Sequence, residues 1–132
     1  MASVAAMRVS DRKDLGDEQP CEGPRPVDLV HLSRFTLGDT KLEHEVLELF
    51  RVQAGIYLER LKTAADPTGW REAAHTIKGS ARGIGAWSVA EAAAAAEALE
   101  GPAGKRASSA LAALDGAVRE AIDFIEPLLA DH

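Results

Sequence analysis

The chain has 132 residues, of which 46% are hydrophobic but only 5% aromatic, so we expect one domain of helices packed around an aliphatic core. Acidic residues outnumber basic ones by 21 to 15, and the formal net charge of -6 argues against nucleic acid and anionic membranes as partners. The single cysteine, Cys21, excludes an intramolecular disulfide and a cysteine-based metal site. We expect a cytoplasmic location and no secretory signal or membrane helix, because no apolar stretch is long enough for either.

The N-terminal part of the sequence is polar, mixed in charge and interrupted by glycines and prolines. Such a composition does not supply the apolar residues of a core. We therefore predict a flexible tail over residues 1–26, which includes Cys21, and a folded domain over residues 27–132.

The first two helices are indicated by apolar spacing. Asp28 is placed to cap a short helix in which Leu29, Leu32 and Phe35 have helical spacing, and this helix is expected to lie across the end of the main bundle. A long second helix follows over residues 40–63, and its apolar residues cover an arc wider than one core stripe. The extra width of this apolar arc predicts one of two arrangements. Either the second helix packs against the first and fourth helices together, or part of the arc is an exposed apolar docking surface.

Three more helices follow in chain order. Asp66 to Gly69 is expected to end the second helix and turn the chain, so the third helix is predicted over residues 70–82, ending near Gly83 and Gly85. The fourth is predicted over residues 86–99, and the last over residues 105–129, where Pro127 is expected to kink or fray the end. The fold class predicted is all-α: an antiparallel four-helix bundle with a short extra N-terminal helix.

The third helix has two contrasting faces on a helical wheel. The apolar residues of one face are Trp70, Ala73, Ile77, Ala81 and Ile84. His75 lies on the opposite side with three basic residues near it, Arg71, Lys78 and Arg82, and with Gly79 on its other flank. The wheel therefore predicts an exposed histidine in a basic stripe.

This arrangement suits nucleophilic chemistry on a phosphoryl group. A neutral imidazole is a nucleophile near pH 7, and neighbouring cations favour its neutral form while attracting a phosphate. Gly79 carries no side chain and leaves space for a partner. An exposed histidine among basic residues is more often only part of a solvated surface, so the wheel alone does not decide between the two interpretations.

The order of residues around His75 resembles the signature of histidine-containing phosphotransfer (HPt) domains. The matching residues are His75-Thr76-Ile77-Lys78-Gly79 and, six residues on, Gly85. The surrounding framework is similar over about residues 27–100. The resemblance implies that the outer ring nitrogen of His75 accepts a phosphoryl group, that Lys78 lies near the phosphate, that Gly79 clears space and that Gly85 closes the helix. Arg71 and Arg82 come from the wheel, and docking of an acidic partner is as good an account of them as ordinary surface charge.

The resemblance also implies the function and the partners. The chain is expected to carry a phosphoryl group between aspartates of response-regulator receiver domains, with a hybrid histidine kinase as a further candidate partner. Magnesium is expected in the receiver, and no cofactor in this chain. No Walker-type loop or kinase signature is present, so we expect a phosphotransfer intermediate rather than an ATP-dependent kinase. The alternative is a helical adaptor that binds a receiver or kinase through the same face without chemistry.

The remaining histidines give no indication of a metal site. His31, His44 and His132 have no ligand spacing with one another or with His75, so we expect no metal in this chain.

Overall fold

The computed structural model describes residues 25–130, in which five helices and no strand occur. The helices are α1 (Leu29–Thr36), α2 (Thr40–Lys62), α3 (Pro67–Ile84), α4 (Trp87–Glu97) and α5 (Gly104–Ala130). Most of the predicted tail, including Cys21, lies outside the described residues, and so does His132.

The four longer helices form a bundle in which each helix packs against two others. Helix α2 contacts α3 and α5, and α4 contacts the same two helices, whereas the backbones of the diagonal pairs among these described helices do not come close. Short connections make consecutive helices antiparallel. Helix α1 contacts α2 and α3. The predicted all-α bundle with an extra N-terminal helix is confirmed.

The wide apolar arc of α2 is explained only in part by the neighbours that were expected. Packing of α2 against α1 is confirmed. Packing of α2 against the fourth helix is wrong, because α4 lies diagonally across the bundle and α2 packs against α1, α3 and α5. Part of the arc remains at the surface, as the second alternative required. We call this part the α2 apolar stripe; its residues and their exposed fractions are Leu42 38%, Leu49 56%, Val52 46% and Ile56 47%.

Helix α3 buries the whole face that the wheel predicts as core, from Trp70 to Ile84. The indole Nε1 of Trp70 donates a hydrogen bond to the carbonyl of Ala96 at 2.7 Å, which joins α3 to α4. The helix begins three residues earlier than predicted. Pro67 lies in its first turn, where no N–H is needed, and Asp66 caps it by accepting from the Gly69 amide at 2.8 Å.

The first and last helices differ from expectation in detail. Phe35 shares the helical spacing of Leu29 and Leu32 but is 62% exposed. Thr36 is buried instead, and its hydroxyl donates to a Glu43 carboxylate oxygen at 3.0 Å, so α1 is joined to α2 by a polar contact. In α5 the helix continues through Pro127 to Ala130.

Gly85 ends α3 at the point where α1 and α4 meet. Its backbone φ is +81°, and its carbonyl accepts from the Asp28 amide at 2.9 Å. The Asp28 carboxylate in turn accepts from the His31 amide and from the Trp87 indole, both at 3.1 Å. A Cβ on Gly85 would lie 2.8 Å from the Asp28 Cβ and 3.0 Å from its carbonyl oxygen. Both the conformation and the close packing therefore require glycine.

Replacing Gly85 with alanine is expected to lower the free energy of unfolding by roughly 1–3 kcal/mol, because a left-handed residue with a side chain is strained and Asp28 has to move. Urea denaturation followed by tryptophan fluorescence measures the change. Gly83→Ala is the matched control: Gly83 is helical and a Cβ there meets no atom within 4 Å, so a gain of up to about 1 kcal/mol is expected. Equal losses in both variants would contradict this account.

Candidate functional site

His75 lies in the middle of α3 on the side that faces away from the core. Its side chain is 68% exposed, whereas Ala74 beside it and Ile77 two residues on are buried. The ring is therefore open to another molecule, as nucleophilic attack on a partner requires.

A carboxylate from α4 holds the inner nitrogen of this ring. His75 Nδ1 lies 2.9 Å from Oε2 of Glu97, the last residue of α4. The hydrogen bond from Lys78 lowers the pKa of Glu97, the bond from His75 acts in the same direction, and partial burial opposes both. Glu97 is thus ionised at neutral pH and can only accept, so Nδ1 carries the proton. In the neutral ring, Nε2 then has the free lone pair.

Lys78 shares the same carboxylate. Its ammonium lies 2.6 Å from Glu97 Oε1, and its side chain is only 19% exposed. The expectation that His75 stands only among exposed cations is therefore corrected in two respects. Lys78 is ion-paired rather than free, and the ring has a carboxylate as its immediate neighbour.

Glu97 is the site residue that the sequence did not single out for a role. It comes 22 residues after His75, and α3 and α4 have to pack in one particular register to bring the two together. The available signal was a carboxylate at the end of an alanine-rich helix. A helical wheel shows which residues share one helix face, but it cannot give the register between two helices.

Two glycines lie on α3 between His75 and the C-terminal end of the helix. Gly79 and Gly83 are exposed, and a Cβ on either would meet no atom within 4 Å. Packing does not require glycine at these positions, although glycine inside a helix is unfavourable by about 1 kcal/mol relative to alanine. The result is a surface without side chains next to the histidine. Gly83 was expected only as a helix end, but it lies inside α3.

The two arginines of the predicted basic stripe are placed differently from each other. Both Arg71 and Arg82 are exposed, and neither forms an ion pair with a residue in the described part of the chain. Arg71 lines a groove together with His75, whereas Arg82 does not.

That groove lies between the end of α2 and the first half of α3. It has a volume of about 700 Å³, and its lining includes Tyr57 and Arg60 of α2 together with Arg71 and Glu72 of α3. The Arg60 guanidinium lies over the Tyr57 ring at 4.7 Å from its centroid. Sequence reasoning did not connect Tyr57 or Arg60 with the site.

His31 lies outside this region and has a packing role. His31 packs edge-on against Trp87, with ring centroids 4.9 Å apart. Within residues 25–130 no group of histidine, cysteine or acidic residues is arranged to hold a metal ion. None of the helices described is both long enough and apolar enough to span a membrane.

Comparisons with known proteins identify the family of the chain. The Hpt domain family model matches residues 45–125. The crystal structure of the histidine phosphotransferase ShpA from Caulobacter crescentus is similar, with 34% identity, 75% of this chain and 89% of that chain covered, and a TM-score of 0.58. None of the curated proteins compared matches. A family match over more than half of the chain and a helical neighbour of this kind show that the chain belongs to the Hpt domain family, with a phosphorelay histidine phosphotransfer role.

Proposed function

We propose that His75 is the phosphoacceptor, and that Nε2 takes a phosphoryl group from an aspartyl phosphate of one receiver domain and returns it to the aspartate of another. The observation that carries this proposal is the orientation of the ring. Its Nδ1 is held by Glu97, while the side chain is 68% exposed. A nucleophile that is fixed on one side and open on the other is suited to in-line attack.

The transfer balances without a separate proton acceptor. The Nε2 lone pair attacks phosphorus, the N–P bond forms, and the P–O bond to the aspartyl carboxylate breaks, so that the carboxylate leaves with the electron pair. Nε2 carries no proton in the starting tautomer, and the Nδ1 proton stays on the ring facing Glu97. The positive charge of the phosphorylated imidazole is balanced by this carboxylate. The reverse step returns the group to an aspartate.

The other site residues position the reactants. Lys78 fixes Glu97 and supplies positive charge one turn from His75, and Arg71 and Arg82 attract an acidic partner. Gly79 lets the partner come close, and the α2 apolar stripe provides contact area. In this proposal the magnesium ion and its ligands belong to the receiver, and a hybrid histidine kinase is a further partner through its own receiver.

An adaptor without chemistry is the second candidate function, because the α2 apolar stripe can bind a partner whether or not His75 is present. The cytoplasmic location remains a prediction.

Changing His75 to glutamine is expected to abolish acceptance of label from a phosphorylated receiver, at least about 100-fold below wild type, because the nucleophile is removed. Transfer of radioactive phosphate to the chain, with titration of receiver binding in parallel, measures both properties. His31→Gln is the control, since His31 lies on α1 against Trp87. Binding without label transfer by the wild-type protein would instead support the adaptor, and equal labelling of the His75 variant would place the phosphoacceptor elsewhere.

Replacing Lys78 with alanine is expected to raise the pKa of Glu97 toward its ordinary value of 4.5, because the ammonium is the main cause of its lowering. Glu97 in the wild type stabilises the fold above its ordinary pKa, and this contribution is lost as pH falls through the lowered value. The variant is therefore expected to show a weaker loss of stability in acid. Carboxyl-carbon NMR titration gives the pKa.

The same variant is expected to transfer the phosphoryl group at least about tenfold more slowly, because positive charge near the reacting phosphorus is lost. Rapid-quench kinetics with a phosphorylated receiver measures the rate. Lys62→Ala is the matched control, since Lys62 pairs with Asp115 between α2 and α5 at 3.5 Å. Unchanged Glu97 titration and unchanged transfer in the Lys78 variant would show that Lys78 has neither role.

Gly79→Leu is expected to fold normally, because a Cβ at this position meets open space, yet to weaken receiver binding at least about tenfold by blocking close approach. Titration calorimetry measures the affinity, and circular dichroism checks the fold. Gly116→Leu is the matched control: Gly116 is also helical with open space around its Cβ, but it lies on α5, diagonally across the bundle from α3. Normal binding by the Gly79 variant would reject the close-approach argument.

A further inference from the structure

The groove beside His75 is a concave surface to which the transfer chemistry assigns no role. It spans the end of α2 and the first half of α3, and its volume of about 700 Å³ accommodates several side chains of another protein. Small residues such as Gly69 and Ala73 are part of its lining. Because His75 also lines it, whatever delivers a phosphoryl group to this histidine has to present neighbouring surface to the groove.

Arg60 is held in place on the α2 side of the groove. Its guanidinium lies over the Tyr57 ring at 4.7 Å from the centroid. A guanidinium held over an aromatic ring still has N–H groups that can donate hydrogen bonds to a ligand. An arginine ordered in this way loses less conformational entropy when it binds a carboxylate.

Arg71 provides a second guanidinium on the α3 side. It is exposed and lies one turn before His75 on the same helix face. In the described part of the chain it forms no ion pair, unlike Lys78, which is paired with Glu97. Arg60 likewise has no carboxylate partner among those residues, so both guanidinium groups remain available to a ligand.

The carboxylates of the groove do not cancel this charge. Both carboxylate oxygens of Glu97 already have partners: Oε1 lies 2.6 Å from the Lys78 ammonium and Oε2 lies 2.9 Å from His75 Nδ1. Glu72 is the other acidic residue of the lining, so one carboxylate is present there against the two guanidinium groups of Arg60 and Arg71. On a chain whose net charge is -6, this groove is therefore a local site of positive charge next to the phosphoacceptor.

We propose that this groove binds an acidic segment of the phosphorylated partner, with carboxylate side chains seated between Arg60 and Arg71. The inference rests on the proposed function, because the occupant is the acidic surface around the donor aspartate. Guanidinium groups bind carboxylates through paired hydrogen bonds of defined direction. The groove thus fixes the orientation of the partner: its acidic segment lies at the C-terminal end of α2, and its apolar surface lies along the α2 apolar stripe.

The test compares the double variant Arg60→Gln, Arg71→Gln with wild type in transfer from a phosphorylated receiver at several ionic strengths. We expect KM to rise at least about tenfold while kcat changes by less than about twofold, because the arginines bind the partner and not the reacting atoms. The dependence of kcat/KM on salt is expected to become shallower. The double lysine variant, which keeps the charge, is expected to recover part of the loss.

Two controls separate this proposal from loss of the site itself. Phosphoramidate, a small donor whose N–P bond breaks as ammonia leaves, is expected to label His75 equally in wild type and in the single variant Arg60→Gln. Arg119→Ala removes an exposed arginine on α5, on the side of the bundle away from α3, and is expected to leave KM and its salt dependence unchanged.

The outcomes are distinguishable. If wild type accepts label and the double glutamine variant has the same KM and the same salt dependence as wild type, the groove proposal alone is overturned. Loss of phosphoramidate labelling in Arg60→Gln also overturns it, because Arg60 would then support the reaction rather than bind the partner. A wild-type chain that accepts no label from any receiver overturns the proposed function together with this inference.

Discussion

The site depends on the close approach of α3 and α4. Four fully buried alanines make this approach possible, Ala74 and Ala81 on α3 and Ala93 and Ala96 on α4. The distance between two packed helices is set by the side chains at their contact. With larger residues there, α4 would move outward and Glu97 would lose its contacts of 2.9 Å with His75 and 2.6 Å with Lys78. The alanines that stabilise the core thus also set the geometry of the imidazole.

The hydrogen bond between Trp70 and the Ala96 carbonyl fixes the same helices along their axes. This buried contact of 2.7 Å lies one residue from Glu97 and about one turn from His75. A buried N–H without a partner is unfavourable, so a slip of α4 against α3 would break both this bond and the packing around it. The register of α4 against α3 therefore determines both the core packing and the site. The His75 side chain is 68% exposed, but its orientation depends on buried residues.

Helix faces were predictable from the sequence, whereas contacts between helices were not. The buried face of α3 follows from its apolar spacing, and so does the exposure of His75. Pro67 was misjudged as a stop because proline is found both after helices and in their first turn; Asp66 before it was the signal for a start. The apolar arc of α2 showed that extra partners were needed but not which helices they were.

The same reasoning explains why Glu97 and Arg60 were not assigned to the site. Their contribution depends on how α2 and α4 are placed beside α3, and periodicity within one helix carries no such information. Gly79 was singled out from its spacing to His75, while Gly83 was expected only to end a helix that in fact continues. The sequence shows that Glu97 and Arg60 are charged, but only the tertiary packing brings them close to His75.

The surface around His75 has an apolar part and a charged part, an arrangement that suits a phosphotransfer protein with transient partners. Along α2, the apolar stripe precedes the Arg60 groove, and His75 lies beside that groove on α3. Apolar contact is nondirectional and supplies binding energy, whereas charged groups act mainly on the association rate and on orientation. A partner that arrives and leaves needs a small contact area rather than a permanent interface. Orientation then has to come from directional groups near the reacting atom, and in the proposed function the guanidinium groups of Arg60 and Arg71 beside the imidazole provide it.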